Sequence, residues 1–77
     1  MNMQQRYHVL LTAKLVDLMR EVDSINEEQA KCDKKYGRRS EESFHMLGEC
    51  AKRLAAVRLE VSDVVNKMKI LEQAKDA

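Results

Sequence analysis

Few side chains in this sequence have the chemistry of a reactive or ligating site. His8 and His45 are the only histidines, and Cys32 and Cys50 the only thiols. A chain folded back on itself near residue 38 would bring His45 towards Cys32, with Glu49 one helical turn beyond. Cys, His and Glu are all zinc ligands, but a zinc site wants four of them at fixed spacing. Neither Cys-x-x-Cys nor His-x-x-x-His occurs. The expectation is no metal and no cofactor, with His45 facing solvent and Cys32 a small core residue. His8 falls on a hydrophobic seam near an open bundle end, where a partly exposed histidine is expected and a pH-sensitive layer is the alternative. In such a hairpin Cys32 and Cys50 stand about six residues out of register, about 9 Å along a helix axis. A disulfide needs Cα atoms within about 7 Å, so an internal bridge is not expected, and an intermolecular one is the alternative.

Nucleophilic catalysis has no support. There is no Gly-x-Ser-x-Gly, no Walker loop and no glycine-rich turn, and a narrow helical rod offers no water-excluding pocket. The sequence predicts no catalytic residue and no enzyme. A basic cluster, Lys31, Lys34, Lys35, Arg38 and Arg39, interrupted by Asp33, is the one charged feature that could meet phosphates or anionic lipid. The plainer expectation is that these residues close a helix end and keep the tip solvated. Lys52, Arg53 and Arg58 do not extend the patch, and only Tyr36 is at hand for base stacking.

The elements that must position these residues are legible. The chain has 77 residues with 44% apolar and 35% charged side chains, no proline and two glycines, and a net charge of +1. It is too apolar and too evenly charged for an ordinary disordered tail. It is too poor in cysteine for a disulfide-stapled mini-domain, and it lacks a run of about 20 apolar residues for a membrane span. Helix formers dominate. In the first half, Leu11, Leu15, Leu18, Val22, Ile25, Gln29, Cys32 and Tyr36 follow alternating steps of four and three, extended backwards by His8 and Gln4. In the second, Leu47, Cys50, Leu54, Val57, Val61, Val64, Met68 and Leu71 do the same without a polar interruption. Both are heptad seams. Gln29, set opposite Leu47, would be either a register device or a frayed layer near the turn.

Between the seams lies Tyr36-Gly37-Arg38-Arg39-Ser40-Glu41-Glu42. Lys34 and Lys35 suit the negative end of a helix dipole, Gly37 suits a left-handed C′ position, and Ser40 suits an N-cap followed by acidic residues. The prediction is one all-α domain over 1–77. It consists of a helix over 3–36, a turn over 37–40 and a helix over 41–75, packed as an antiparallel hairpin. Ser24 followed by Glu27 has a capping-box pattern that could start a third helix. Gly48 would cost its helix about 1 kcal/mol against alanine. Folded about residue 38, Leu15 meets Val61, Leu18 meets Val57, Val22 meets Leu54, Ile25 meets Cys50, and Cys32 meets Phe44.

A lone hairpin leaves apolar side chains over. Leaving four large aliphatics exposed forgoes roughly 6–12 kcal/mol of burial, and a domain this small seldom gathers more than about 3–5 kcal/mol of net stability from its core. Association into a coiled coil or four-helix bundle is therefore expected, through a surface drawn from Val9, Val16, Met19, Phe44, Ala51, Val65 and Ile70. Scattered surface apolars are the competing explanation. The expected function is that of a non-enzymatic assembly or adaptor subunit binding protein helices, its own or another protein's. The alternatives are a small chaperone shielding a partner helix, and a hairpin dimer binding nucleic acid through the basic tip. No secretory signal is legible in the first residues, where the longest apolar run is Val9-Leu10-Leu11. Asn2 excludes N-myristoylation, so a cytoplasmic chain with reduced thiols is expected.

In outline, two heptad-patterned helices about a basic turn resemble small coiled-coil subunits of trafficking complexes, hairpin co-chaperones of type III secretion, and the RNA-binding hairpin dimer that controls plasmid copy number. The stretch from Arg58 to Leu71 is loosely similar to trafficking subunits with a Lys-x-Asp-Leu motif, departing from it at three of four positions. No one family follows from these likenesses.

Overall fold

The computed structural model describes the backbone of residues 2–76 and the side chains of residues 2–73. Helix α1 runs Met3–Tyr36 and helix α2 runs Glu41–Asp76, and no strand occurs among the described residues. The two pack along their length as an antiparallel hairpin with Cα extents of 55 × 18 × 12 Å. Both helices therefore begin or end at one end of the rod, and the turn occupies the other.

Local chemistry explains each boundary. Asn2 opens α1 with a reciprocal capping box. Its Oδ1 accepts from the Gln5 amide at 2.8 Å, and its own amide donates to Gln5 Oε1 at 3.1 Å. Lys34 and Lys35 lie in the last turn of α1, and the Gly37 amide donates to the Asp33 carbonyl at 2.9 Å. Gly37 takes φ 93°, as expected of a glycine stop, but its ψ of 146° lies outside the left-handed helical well, in backbone that glycine alone adopts readily. Ser40 caps α2. Its hydroxyl accepts from the Ser43 amide at 3.1 Å and donates to the Gly37 carbonyl at 2.7 Å. The capping pattern at Ser24 and Glu27 starts nothing, and α1 runs through it. Val22 and Ile25 on either side are both held against α2, and tertiary packing overrides a local cap.

The core consists of two rows of unequal depth. One row recurs every seventh residue as Leu11, Leu18, Ile25 and Cys32 on α1 and Ser43, Cys50, Val57 and Val64 on α2, and every member is buried. Ile25 is 0% and Leu18 2% exposed. Taking this row as heptad position d, position a holds Leu15, Val22 and Gln29 against Leu54, Val61 and Met68, all only half-buried.

The register agrees with the sequence at Ile25 and Cys50, where the thiol lies 3.7 Å from the Ile25 carbonyl oxygen. One expected contact and one expected burial are corrected. Cys32 meets Ser43, whose hydroxyl is 4.0 Å from its sulfur, and Phe44 stands beside that layer 67% exposed. A neighbouring residue on a helix is rotated by about 100°, so moving the contact to position 43 turns Phe44 out of the seam. Leu47 is 54% exposed, because it belongs to the shallow row and faces the polar Gln29 layer. Met46, on the other flank, is half-buried against the core.

Candidate helix-docking face

The unequal depth of the two rows follows from what flanks them. Position g lies beside the d row, and e and b lie beside the a row. In an antiparallel pair the g flanks of both helices share one side of the hairpin, and the e flanks share the other.

On the g side, Lys14 reaches Glu60 at 3.7 Å, and Arg53 pairs with Glu28. These long side chains bridge the two helices on the side of the d row. On the adjoining outer positions of α2, Lys67 pairs with Asp63 at 2.9 Å and Lys52 with Glu49 at 3.8 Å. The Asp63 hydrogen bond and charge raise the Lys67 pKa above its ordinary value.

The e side is different. Its positions are Thr12, Met19 and Asn26 on α1 and Phe44, Ala51 and Val65 on α2, with charge entering at Asp33, Arg58 and Glu72. No ion pair between the helices crosses this side among the described residues. The a row is therefore left open, and Ala51, Leu54, Ala55, Arg58 and Leu59 line a shallow depression over α2. Short residues at positions 51 and 55 make the hollow, and Leu54 and Leu59 make its walls.

The expected partner-facing residues divide on this frame. Met19, Phe44, Ala51 and Val65 occupy e positions, and Val9 and Val16 the adjoining b positions, so all six border the open side. All are exposed except Val65, which is half-buried. Ile70 is 64% exposed but lies on the ion-paired side, away from the other six. Sequence reading passed over Leu47, Leu54 and Ala55 as parts of this face. The signal was present as apolar and small residues at e and b positions, but it becomes readable only once the deep row is known.

Gln29 sits in the shallow row. Its Nε2 donates to Asp33 Oδ1 at 2.8 Å and to the Ser43 carbonyl at 3.4 Å, while its buried Oε1 has no partner. The residues singled out for chemistry are dispersed. Cys32 and Cys50 are buried free thiols in separate layers, and His45 is exposed on the outer surface of α2, away from the Cys32 layer. His8 is exposed at the open end and lines a cleft with Asn2, Gln5, Val9 and Leu71. No group of three or more His, Cys, Asp or Glu suited to a metal occurs among the described residues. Lys31, Lys34, Lys35, Arg38 and Arg39 are all exposed about the tip, with the Lys35 ammonium 5.1 Å from the Tyr36 ring centre. Among the described residues no helix is long and apolar enough to cross a membrane.

No protein-family model matches the chain, and comparisons with curated proteins and with solved structures find none similar to it.

Proposed function

We propose that the chain is a non-enzymatic assembly or adaptor module that recognises other helices through the open a/e side of the hairpin. One observation carries this reading: half of the heptad core is left half-exposed beside a flank that no ion pair between the helices crosses among the described residues, while the opposite flank is crossed by two. Helices that meet solvent on all outer sides ordinarily surround their apolar stripe with polar residues. A stripe flanked by Met19, Phe44, Ala51 and Ala55 suits a further helical layer.

The test is copurification from the native source with the intact chain and with Ala51→Arg, whose exposed position leaves the hairpin seam untouched. The expected result is a helical partner or self-complex that Ala51→Arg abolishes, reproduced with purified components. Associations that all survive Ala51→Arg would overturn the reading. Chaperone activity would use the same face, and would add a partner that is unstable unless expressed together with this chain.

The exposed basic tip supports a second reading, contact with phosphate. Such binding weakens steeply with salt. It would be removed by joint Arg38→Glu and Arg39→Glu substitution, and unchanged affinity in that variant excludes it.

A further inference from the structure

We infer that the occupant of the open face is a second copy of this chain. The two copies stack with their turns at the same end, about a two-fold axis parallel to the helices, as a four-helix bundle. This inference rests on the docking face described above and names what covers it.

Three observations lead to this arrangement. The first is coverage. A helix in a four-helix bundle touches two neighbours, one on each flank of its apolar stripe. Here the g flank of each helix already meets its hairpin partner through Lys14–Glu60 and Arg53–Glu28, and the e/b flank meets nothing. A face with Cα extents of 55 × 18 Å can provide the roughly 800 Å² per partner of a specific interface.

The second is shape. The contact of Ile25 with Cys50 and that of Cys32 with Ser43 fix the heights of the two helices. Extended along the rod, this register sets Met19 level with Ala56, one residue from Ala55 and within the height of the hollow. Met19 is a 62% exposed knob at an e position of α1, and Ala55 lies in the hollow of α2. A two-fold axis along the rod keeps heights unchanged and places α1 of one copy over α2 of the other. Each Met19 then enters the Ala51/Ala55 hollow of its partner, twice per dimer. Methionine's flexible thioether suits such a knob.

The third is charge. On this face α1 carries only Asp23 and Asp33, whereas α2 carries Arg58 and Lys69, with Glu41 and Glu72 at its two ends. Stacking α1 on α2 sets an acidic helix against one of balanced charge. The other two-fold arrangement stacks each helix on its own copy, so that the two α1 helices meet acidic on acidic, and like charges brought together across an interface oppose association.

Sedimentation equilibrium of the purified chain from low to high micromolar concentration tests the inference. The expected mass is about twice 8.9 kDa. A mass of 8.9 kDa at high micromolar concentration would overturn it, while leaving the broader helix-binding reading to its own copurification test. Ala55→Arg fills the hollow at an exposed helical position. It should weaken self-association at least tenfold while circular dichroism shows the helix content retained, and an unchanged dimer would refute the stacking. To fix orientation, a chain carrying Met19→Cys is mixed with one carrying Ala55→Cys, each with Cys32→Ala and Cys50→Ala, under a mild oxidant. The expected product is the mixed disulfide dimer. Linkage of each single variant only to itself would show the rejected arrangement.

Discussion

The Cys50 thiol of α2 lies 3.7 Å from the backbone carbonyl oxygen of Ile25 in α1, tying the deep row of one helix to the main chain of the other. Cys32 meets Ser43 in a different layer, so neither sulfur faces the other. Both thiols are buried, and a buried sulfur is out of a reagent's reach. Both cysteines should therefore react with an alkylating reagent only as the hairpin opens. Mass spectrometry under native conditions should show both labels appearing at rates that rise with denaturant. Rapid labelling of Cys50 in the folded chain would contradict the register.

Gln29 interrupts the shallow row and leaves one buried acceptor without a partner. An unsatisfied buried polar atom costs about 1–3 kcal/mol. Gln29→Leu removes that cost and extends the aliphatic row. It should raise the thermal midpoint, with about 1 kcal/mol of added stability in urea titration. A lowered midpoint would mean that its bonds to Asp33 and Ser43 outweigh the orphaned oxygen.

The two glycines should respond in opposite directions. A Cβ at Gly37 would meet open space, but the residue holds φ 93°, a region in which side chains cost about 1–3 kcal/mol. Gly37→Ala should destabilise by that amount. Gly48 lies within α2 with nothing near its would-be Cβ, and Gly48→Ala should gain about 1 kcal/mol of helix propensity. Chemical denaturation of both variants beside the parent chain checks the pair of signs.

Depth should outrank charge. Leu18 is 2% exposed, and Leu18→Ala should cost about 2–5 kcal/mol. The Arg53–Glu28 pair is partly solvated on both sides, so removing it by Glu28→Gln should cost no more than about 1 kcal/mol. A larger loss for Glu28→Gln than for Leu18→Ala would show that the flank, and not the d row, holds the helices together.

Lys67 has its pKa raised by the hydrogen bond and charge of Asp63. A group whose folded value is raised stabilises fully below its unfolded value, here the ordinary lysine value of 10.5. That contribution is lost as pH rises through the folded value. Asp63→Asn should therefore lower stability slightly at neutral pH, and the difference from the parent chain should vanish in strongly alkaline solution. Thermal melts across that range measure the convergence.

Much of the fold was legible because its determinants are local. Gly37 and Ser40 set the turn, and the heptads of both halves agree on one fold-back point, so most layers could be paired from the residues alone. What escaped was angular. Periodicity identifies a stripe but does not say which edge of it lies deeper, and one residue of rotation separates Ser43 from Phe44 and Met46 from Leu47. The Asn2–Gln5 capping box is equally local and lies outside both heptad seams. The docking face depended on that same angular choice. Leu47 looks like core in a linear reading, and Ile70 looks like part of a partner surface. Only the ion pairs along one flank separate the closed side from the open one.

The antiparallel layout has a mechanical consequence. Tension applied across the start of α1 and the finish of α2 acts at one end of the rod, so it meets the layers one after another instead of all together. The helices would peel apart from Leu11 and Val64 towards Cys32 and Ser43, at low force and in small steps. The same load applied between the turn and either extremity would have to shear every layer at once.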